Sequence, residues 1–204
     1  MDTRTNIQNF ALFFYFFSLN IESFNLFGLG SISFFSAVFY IITILPSIRI
    51  IAVFNRNLYF LWPIIALYSY LFLVSIYNMN DFSSRVFDVQ IFLNFLIFFL
   101  IINHAKKDNW VLDKALYAFA LGSVLTSLLL ILGIGVEISD EGLRPGRKML
   151  FNSGPNEVGI KIMTGAMIIF TLFFNNRLNL SNFHRFSLSL FIPLIFFAVL
   201  QTGS

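Results

Sequence analysis

The sequence predicts an all-α fold, a polytopic bundle of about seven helices that cross a membrane, with the N-terminus in the cytoplasm. Three observations lead to this prediction. Phe accounts for 29 of the 204 residues, 58% of the chain is hydrophobic, and the mean hydropathy is +0.82. The apolar residues form long continuous runs, and nearly all charges fall in the gaps between the runs. Each run approaches the roughly 20 apolar residues that a spanning helix needs, and none alternates as membrane β-strands do.

The apolar runs place the predicted spans in a single membrane domain that covers residues 1–204. The first run is interrupted by Asn20 and Glu22. Because no small-residue cleavage site follows it, it is predicted to be an uncleaved span and not a signal peptide. Ala118 and Gly122, four residues apart in the fifth run, predict the close approach of a neighbouring helix. The predicted spans are residues 7–27, 29–48, 58–77, 87–103, 112–136, 157–174 and 186–201.

The basic residues orient this bundle. With a cytoplasmic N-terminus, eight Lys and Arg residues lie inside, four lie outside and Lys161 lies within a span, which satisfies the positive-inside rule. The inverted chain would reverse the ratio. The inside residues are Arg4, Arg49, Arg56, Lys106, Lys107, Lys114, Arg177 and Arg185, and the outside residues are Arg85, Arg144, Arg147 and Lys148.

Composition excludes several classes of site. The chain has no Cys, so disulfides, thiolate metal sites and cysteine nucleophiles are ruled out. His104 and His184 are both predicted on the cytoplasmic side, as residues near helix ends. The acidic residues show no metal-ligand spacing, so neither a metal nor another cofactor is expected. The basic residues form no run typical of nucleic-acid binding, and no internal repeat indicates the two halves of a transporter.

The longest connection, residues 137–156, carries the most distinctive chemistry. Arg144, Arg147 and Lys148 lie within five residues, beside Gly and Pro residues that favour turns. Asn156 follows as the predicted N-cap of the next helix. Arg presents a planar fork of donors that matches two phosphate oxygens, and a helix start adds backbone N–H groups. The segment therefore predicts a non-helical anion site, or a cluster that meets lipid headgroups or neighbouring acids.

Two further charge pairs border the predicted outer face. Glu157 and Lys161 have the spacing and order of a helical ion pair. Lys161 is either a functional group within the membrane or a side chain that reaches back to the interface with its partner. Arg85 and Asp88 lie three residues apart at the start of the fourth span, and either join the basic cluster or pair with each other.

Two segments resemble a known family. The sequence "GRKMLFNSGPNEVG" contains an Arg, then a Phe, then Pro-Asn-x-x-Gly at a helix start, and the chain ends in "LQTGS" after one further span. This order resembles that of O-antigen polymerases and ligases, in which the second segment reads Thr-Gly-Ser-Arg-Gly. The resemblance covers residues 80–204. Two departures are Gly154, where the family usually has Asn or His before the Pro-Asn, and Glu157 after it.

The resemblance implies a glycosyltransferase that moves a glycan from an undecaprenyl-pyrophosphate carrier to an acceptor sugar, in the assembly of bacterial O-antigen, lipopolysaccharide or capsule. Arg147 and Arg144, with Lys148 and Arg85, would bind the pyrophosphate. Glu157 is the local candidate for the catalytic base. The loop would be shaped by Pro155, Asn156 and Gly159. The chain ends within the family motif, so it would be the N-terminal part of a longer enzyme.

The expected partners are the lipid-linked oligosaccharide, the membrane, and assembly proteins such as a flippase and a chain-length regulator, with no nucleic acid. The expected location is the bacterial inner membrane, as a multi-pass protein. Two alternatives stay open, a polysaccharide flippase or other transporter, and an inactive membrane scaffold. A transporter would place polar residues throughout several spans, whereas the predicted spans hold few beyond Gln90, Asn94 and Lys161.

Overall fold

The structure is a computed structural model that describes residues 3–21, 31–47, 61–77, 82–107, 110–139, 147–151, 153–174 and 182–202. The chain divides into two compact units. The first consists of residues 1–40 and 110–204, and the second of residues 41–109.

The described residues form seven α-helices and one two-stranded sheet. Short 3-10 turns follow the first two helices, at Leu19–Ile21 and Leu45–Ser47. In chain order the elements are α1 (Thr3–Ser18), α2 (Ile32–Ile44), α3 (Leu61–Tyr77), α4 (Phe82–Lys107), α5 (Val111–Leu132), β1 (Val136–Ser139), β2 (Arg147–Leu150), α6 (Pro155–Phe174) and α7 (Asn182–Thr202).

The prediction of a seven-span bundle is wrong, although each predicted span overlaps a helix. Among the described residues, α5 is the one helix long and apolar enough to cross a membrane. Half of the residues in the apolar stretch of α5 are buried inside the fold. A helix that is apolar all round also suits the core of a protein, so the composition of α5 fits either setting.

Length and polarity explain this correction. The helices α1, α2 and α3 have 16, 13 and 17 residues, fewer than the roughly 20 that a span requires. The apolar parts of α4 and α7 are limited to Leu93–Lys106 and Ser189–Thr202. The helix α6 begins with a polar turn and carries Lys161 in its second turn. Hydropathy alone does not separate these short helices from the apolar residues that flank them in the sequence, so the predicted spans were too long.

In the first unit, α5 packs against α1, α6 and α7. One continuous apolar cluster joins α5, β2, α6 and α7. Full burial of one Leu or Ile side chain stabilises a fold by about 1.5–3 kcal/mol, so this cluster contributes strongly to the stability of the unit. Its buried members are Ala120, Val124, Leu130, Leu150, Val158, Ile162, Ala166, Ile169, Ile195 and Ala198.

The helix α5 ends in a left-handed turn at Gly133. This residue has φ 72°, a conformation that costs glycine little because it has no Cβ. The N–H of Ile134 donates to the carbonyl of Leu129 at 2.9 Å, and that of Gly133 to Leu130 at 3.4 Å. This pattern is a Schellman motif, which satisfies the last carbonyls of a helix. The predicted fifth span, residues 112–136, therefore extends four residues too far.

The second unit contains α3 and α4, which pack against each other. The rings of Tyr68 and Phe95 lie 5.3 Å apart between their centroids, within the range of favourable aromatic pairs. His104 is buried near the end of α4, and the side chain of His184 in α7 lies outside the described residues.

Candidate anion-binding site

The connection predicted as a non-helical loop contains a β-hairpin. The strands β1 and β2 pair antiparallel, with Val136 opposite Leu150 and Ser139 opposite Arg147. The absence of strands was therefore predicted incorrectly. Leu150 is buried and Val136 is half-buried, whereas Ile138 is exposed, so the residues nearest the helices anchor the hairpin to the core. The hairpin tip, residues 140–146, lies outside the described residues.

A second left-handed glycine fixes the base of the hairpin. Gly135 has φ 69° and Phe151 has φ 49°. The N–H of Phe151 donates to the carbonyl of Gly135 at 2.9 Å. A Cβ on Gly135 would collide with the ring of Phe151. The aromatic ring thus packs directly on the glycine backbone, and a larger residue would displace it.

The start of α6 follows the hairpin immediately. Ser153 pairs with Leu150 in an isolated bridge, and Pro155 is the first residue of the helix. Proline suits this position because its missing N–H would have no partner there. The N–H of Val158 donates to the carbonyl of Gly154 at 3.1 Å. Gly154 therefore occupies the N-cap, and the prediction of Asn156 as the N-cap is wrong.

The predicted ion pair on the first turns of α6 is confirmed. Lys161 Nζ and Glu157 Oε1 lie 2.6 Å apart, and the side chains are 18% and 51% exposed. Such a pair in water contributes about 0.3–0.5 kcal/mol, so its stabilising effect is small. Its chemical effect is to hold a carboxylate and an ammonium together beside the hairpin.

A hydrogen bond joins the hairpin to the end of α7. Lys148 Nζ donates to Gln201 Oε1 at 3.0 Å. Leu150 of β2 and Val158 of α6 also lie in one apolar cluster with Ile195 and Ala198 of α7. The Lys148–Gln201 hydrogen bond therefore joins the two segments, residues 146–159 and 200–204, on which the sequence-based expectation of a polymerase or ligase rests.

Of the four predicted pyrophosphate ligands, Lys148 is the one whose side chain lies within the described residues. Lys148 lies in β2, half-buried, and Arg147 precedes it as the first residue of that strand. The side chain of Arg147 and all of Arg144 lie outside the described residues. Arg85 lies in α4, in the second unit, with its side chain also outside them. Pro155, Asn156 and Gly159 belong to the first turns of α6 and not to a loop, with Gly159 buried and Asn156 exposed.

Gln201 is the site residue that the sequence did not reveal. It is separated from Lys148 by 53 positions, and neither its type nor its spacing distinguishes it from other polar residues at helix ends. Among the described residues, no three His, Asp or Glu side chains come together as a metal site would require. Comparisons with protein families, with curated proteins and with solved structures found no match to this chain.

The contact between the hairpin and α7 predicts a specific crosslink. We expect the K148C/Q201C variant to react rapidly within one chain with a short bis-maleimide, since the two native side chains meet at 3.0 Å. The natural chain has no Cys, so no background product forms. The control is K148C/L190C. Leu190 is exposed and lies eleven residues earlier on α7, about 16 Å along the helix axis. Equal crosslinking of the two pairs would contradict the arrangement.

Proposed function

We propose that this chain takes part in the assembly of a bacterial surface polysaccharide, by binding the pyrophosphate of a lipid-linked glycan for polymerase-type glycosyl transfer. The observation that carries the proposal is the Lys148–Gln201 hydrogen bond. It joins the two segments on which the family resemblance depends, at the start of α6. When two motifs of one enzyme family are distant in sequence, they are expected to meet at its functional site.

The chemistry of this site suits a diphosphate ligand. An ammonium has three N–H donors, and Gln201 accepts one of those of Lys148. The same ammonium can therefore also donate to a phosphate oxygen while the amide holds it in place. Arg147, the preceding residue of β2, carries a guanidinium, a group whose planar fork matches phosphate geometry. Cations held in position before the reaction stabilise the charge that develops on a leaving pyrophosphate.

The transfer itself would be a substitution at the sugar's anomeric carbon. The acceptor hydroxyl oxygen forms the new bond to that carbon, and the bond from the carbon to the pyrophosphate oxygen breaks. The pyrophosphate leaves with the electron pair, and the hydroxyl proton passes to a base. Glu157 is the candidate base within the described residues, because its half-exposed carboxylate lies on the first turn of α6 and is oriented by Lys161.

The surface of the first unit supports a location at the membrane that holds the lipid carrier. Large apolar side chains are highly exposed on α6 and α7, with Met167 and Phe174 each 69% exposed and Leu200 75% exposed. Extended apolar surface of this kind marks a membrane or protein contact. A lipid-linked substrate would meet the protein at such a surface.

Pyrophosphate binding tests the proposal directly. We expect inorganic pyrophosphate to bind the purified protein, and Lys148→Ala to weaken that binding about 10–150-fold, because charge-assisted hydrogen bonds contribute about 1.5–3 kcal/mol. Gln201→Ala should weaken it less, since the ammonium remains. Isothermal titration calorimetry measures both effects. The matched control is Lys114→Ala, which removes an exposed cation from the first turn of α5. Equal affinities for all these proteins would refute the proposal.

A further inference from the structure

Polar side chains lie buried where α5 packs against α6 and against α1 with the turn that follows it. Asn20, in the turn that follows α1, is 5% exposed, and Ser123 and Thr126 of α5 are 0% and 1% exposed. We call these three residues the Asn20 cluster. A buried polar group without a partner is costly, so its hydrogen bonds show what the cluster does.

Asn20 uses both ends of its amide to hold α5. Its Nδ2 donates to the carbonyl of Phe119 at 2.9 Å, and its Oδ1 accepts from the Ser123 hydroxyl at 2.8 Å. The Thr126 hydroxyl lies 3.3 Å from the backbone oxygen of Asn20. The Ser123 contact spans 103 residues of sequence. One side chain therefore links the N-terminal helix to the middle of α5.

The backbones approach closely at the same place. A Cβ on Gly122 would lie 2.5 Å from the carbonyl oxygen of Phe17 in α1, which confirms the close approach predicted for Gly122. A Cβ on Gly165 of α6 would collide with the side chain of Ser123. Gly122 of α5 therefore faces α1, and Ser123 of α5 faces α6. Small residues at such positions let two helix backbones approach closely.

The cluster also reaches the turn of α6 that carries the candidate site. The Ser123 hydroxyl lies 3.3 Å from the main-chain carbonyl of Lys161, and Lys161 pairs with Glu157 one turn earlier. The hydroxyl has a single proton, so the shorter bond to Asn20 fixes its orientation. Ser123 is then held by Asn20 on one side, and it contacts α6 by packing against Gly165 beside the Lys161 carbonyl.

We propose that Asn20 is a positioning residue, which acts through Ser123 to fix the first turns of α6 and hence the Glu157–Lys161 pair relative to the hairpin. Its effect on ligand binding rests on the proposed function, whereas its effect on the position of α6 does not. Ser127, one turn further along α5, provides the contrast. Ser127 is as buried as Ser123, but its hydroxyl donates to the carbonyl of Ser123 within the same helix at 2.8 Å.

The experiment measures the position of α6 and ligand affinity separately. Spin labels at Leu132 of α5 and Ile160 of α6, both 67% exposed, report the distance between the helices, and the chain has no native Cys to interfere. The background variants are N20A, S123A and the matched control S127A. Titration with inorganic pyrophosphate yields a dissociation constant and a stoichiometry for each background. Loss of folded protein lowers the stoichiometry alone, whereas mispositioning raises the dissociation constant.

We expect N20A and S123A to broaden the distance distribution and to raise the dissociation constant about fivefold, the effect of one neutral hydrogen bond. S127A should leave both unchanged. An unbroadened distribution in N20A, or equal broadening in S127A, would overturn the proposal. A broadened distribution with an unchanged dissociation constant would overturn its link to the site. If the unsubstituted protein binds no pyrophosphate, the proposed function fails while the distance measurement still decides whether Asn20 positions α6.

Discussion

Replacing Arg147 with alanine is expected to collapse the ladder of polymerised glycan repeats to single units, in cells whose surface polysaccharide depends on this gene. Arg147 precedes Lys148 in β2, at the strand joined to α7. Under the proposed function its guanidinium would stabilise the charge that develops on the leaving pyrophosphate, and loss of one such group typically lowers a rate by about 10²–10³. Gel electrophoresis of the extracted glycan measures the ladder.

Two further variants sharpen this prediction. Arg147→Lys keeps the charge but loses the planar fork, so an intermediate ladder is expected. Lys114→Ala, at an exposed position on α5, should leave the ladder intact. A normal ladder in Arg147→Ala cells would instead favour the non-enzymatic scaffold.

The contact between α5 and α6 predicts a steric defect and its rescue. Gly165→Ala should lower the free energy of unfolding by about 1–3 kcal/mol, the typical cost of overpacking, because the new Cβ would collide with Ser123. In the double variant with Ser123→Gly, the nearest remaining atom is the Cα of residue 123, at 3.7 Å, which is ordinary contact. The clash is then absent.

Thermal unfolding of the four proteins in mild detergent completes a double-mutant cycle. Ser123→Gly alone is destabilising, because it adds a helical glycine and removes a hydrogen bond to Asn20. The loss of unfolding free energy in the double variant should nevertheless be smaller than the sum of the two single losses, by about 1–2 kcal/mol. Additive effects would mean that residues 123 and 165 are not in contact.

The positions of the helices could be read from the sequence, but their role could not. Apolar runs predicted a helix at each of seven places, and helices lie there within the described residues. Hydropathy reports only how apolar a segment is, and both a membrane and a protein core favour apolar helices. The apolar stretch of α5, half of which is buried in the fold, illustrates this ambiguity. The polar first turn of α6 shows that the apolar part of a helix can be shorter than the helix itself.

Local features of the candidate site were predictable, and distant ones were not. The Glu157–Lys161 pair follows from four-residue spacing on a helix and is present. The hairpin was missed because its strands have only four residues each and adjoin Gly- and Pro-rich sequence. Lys148–Gln201 and Asn20–Ser123 join positions 53 and 103 residues apart. No pattern within one sequence specifies such pairs, because they arise only when the helices pack.

The bond between Asn20 and Ser123 has a consequence for biosynthesis. The hairpin and the helices on either side of it have low contact order, and such local structure forms quickly. The N-terminal helix must instead wait for its partner, which is translated 103 residues later. At about 5–20 residues per second, that delay is roughly 5–20 s. During this interval Ala11 and Leu12, which the fold buries completely, stay exposed and favour aggregation unless a chaperone or lipid covers them.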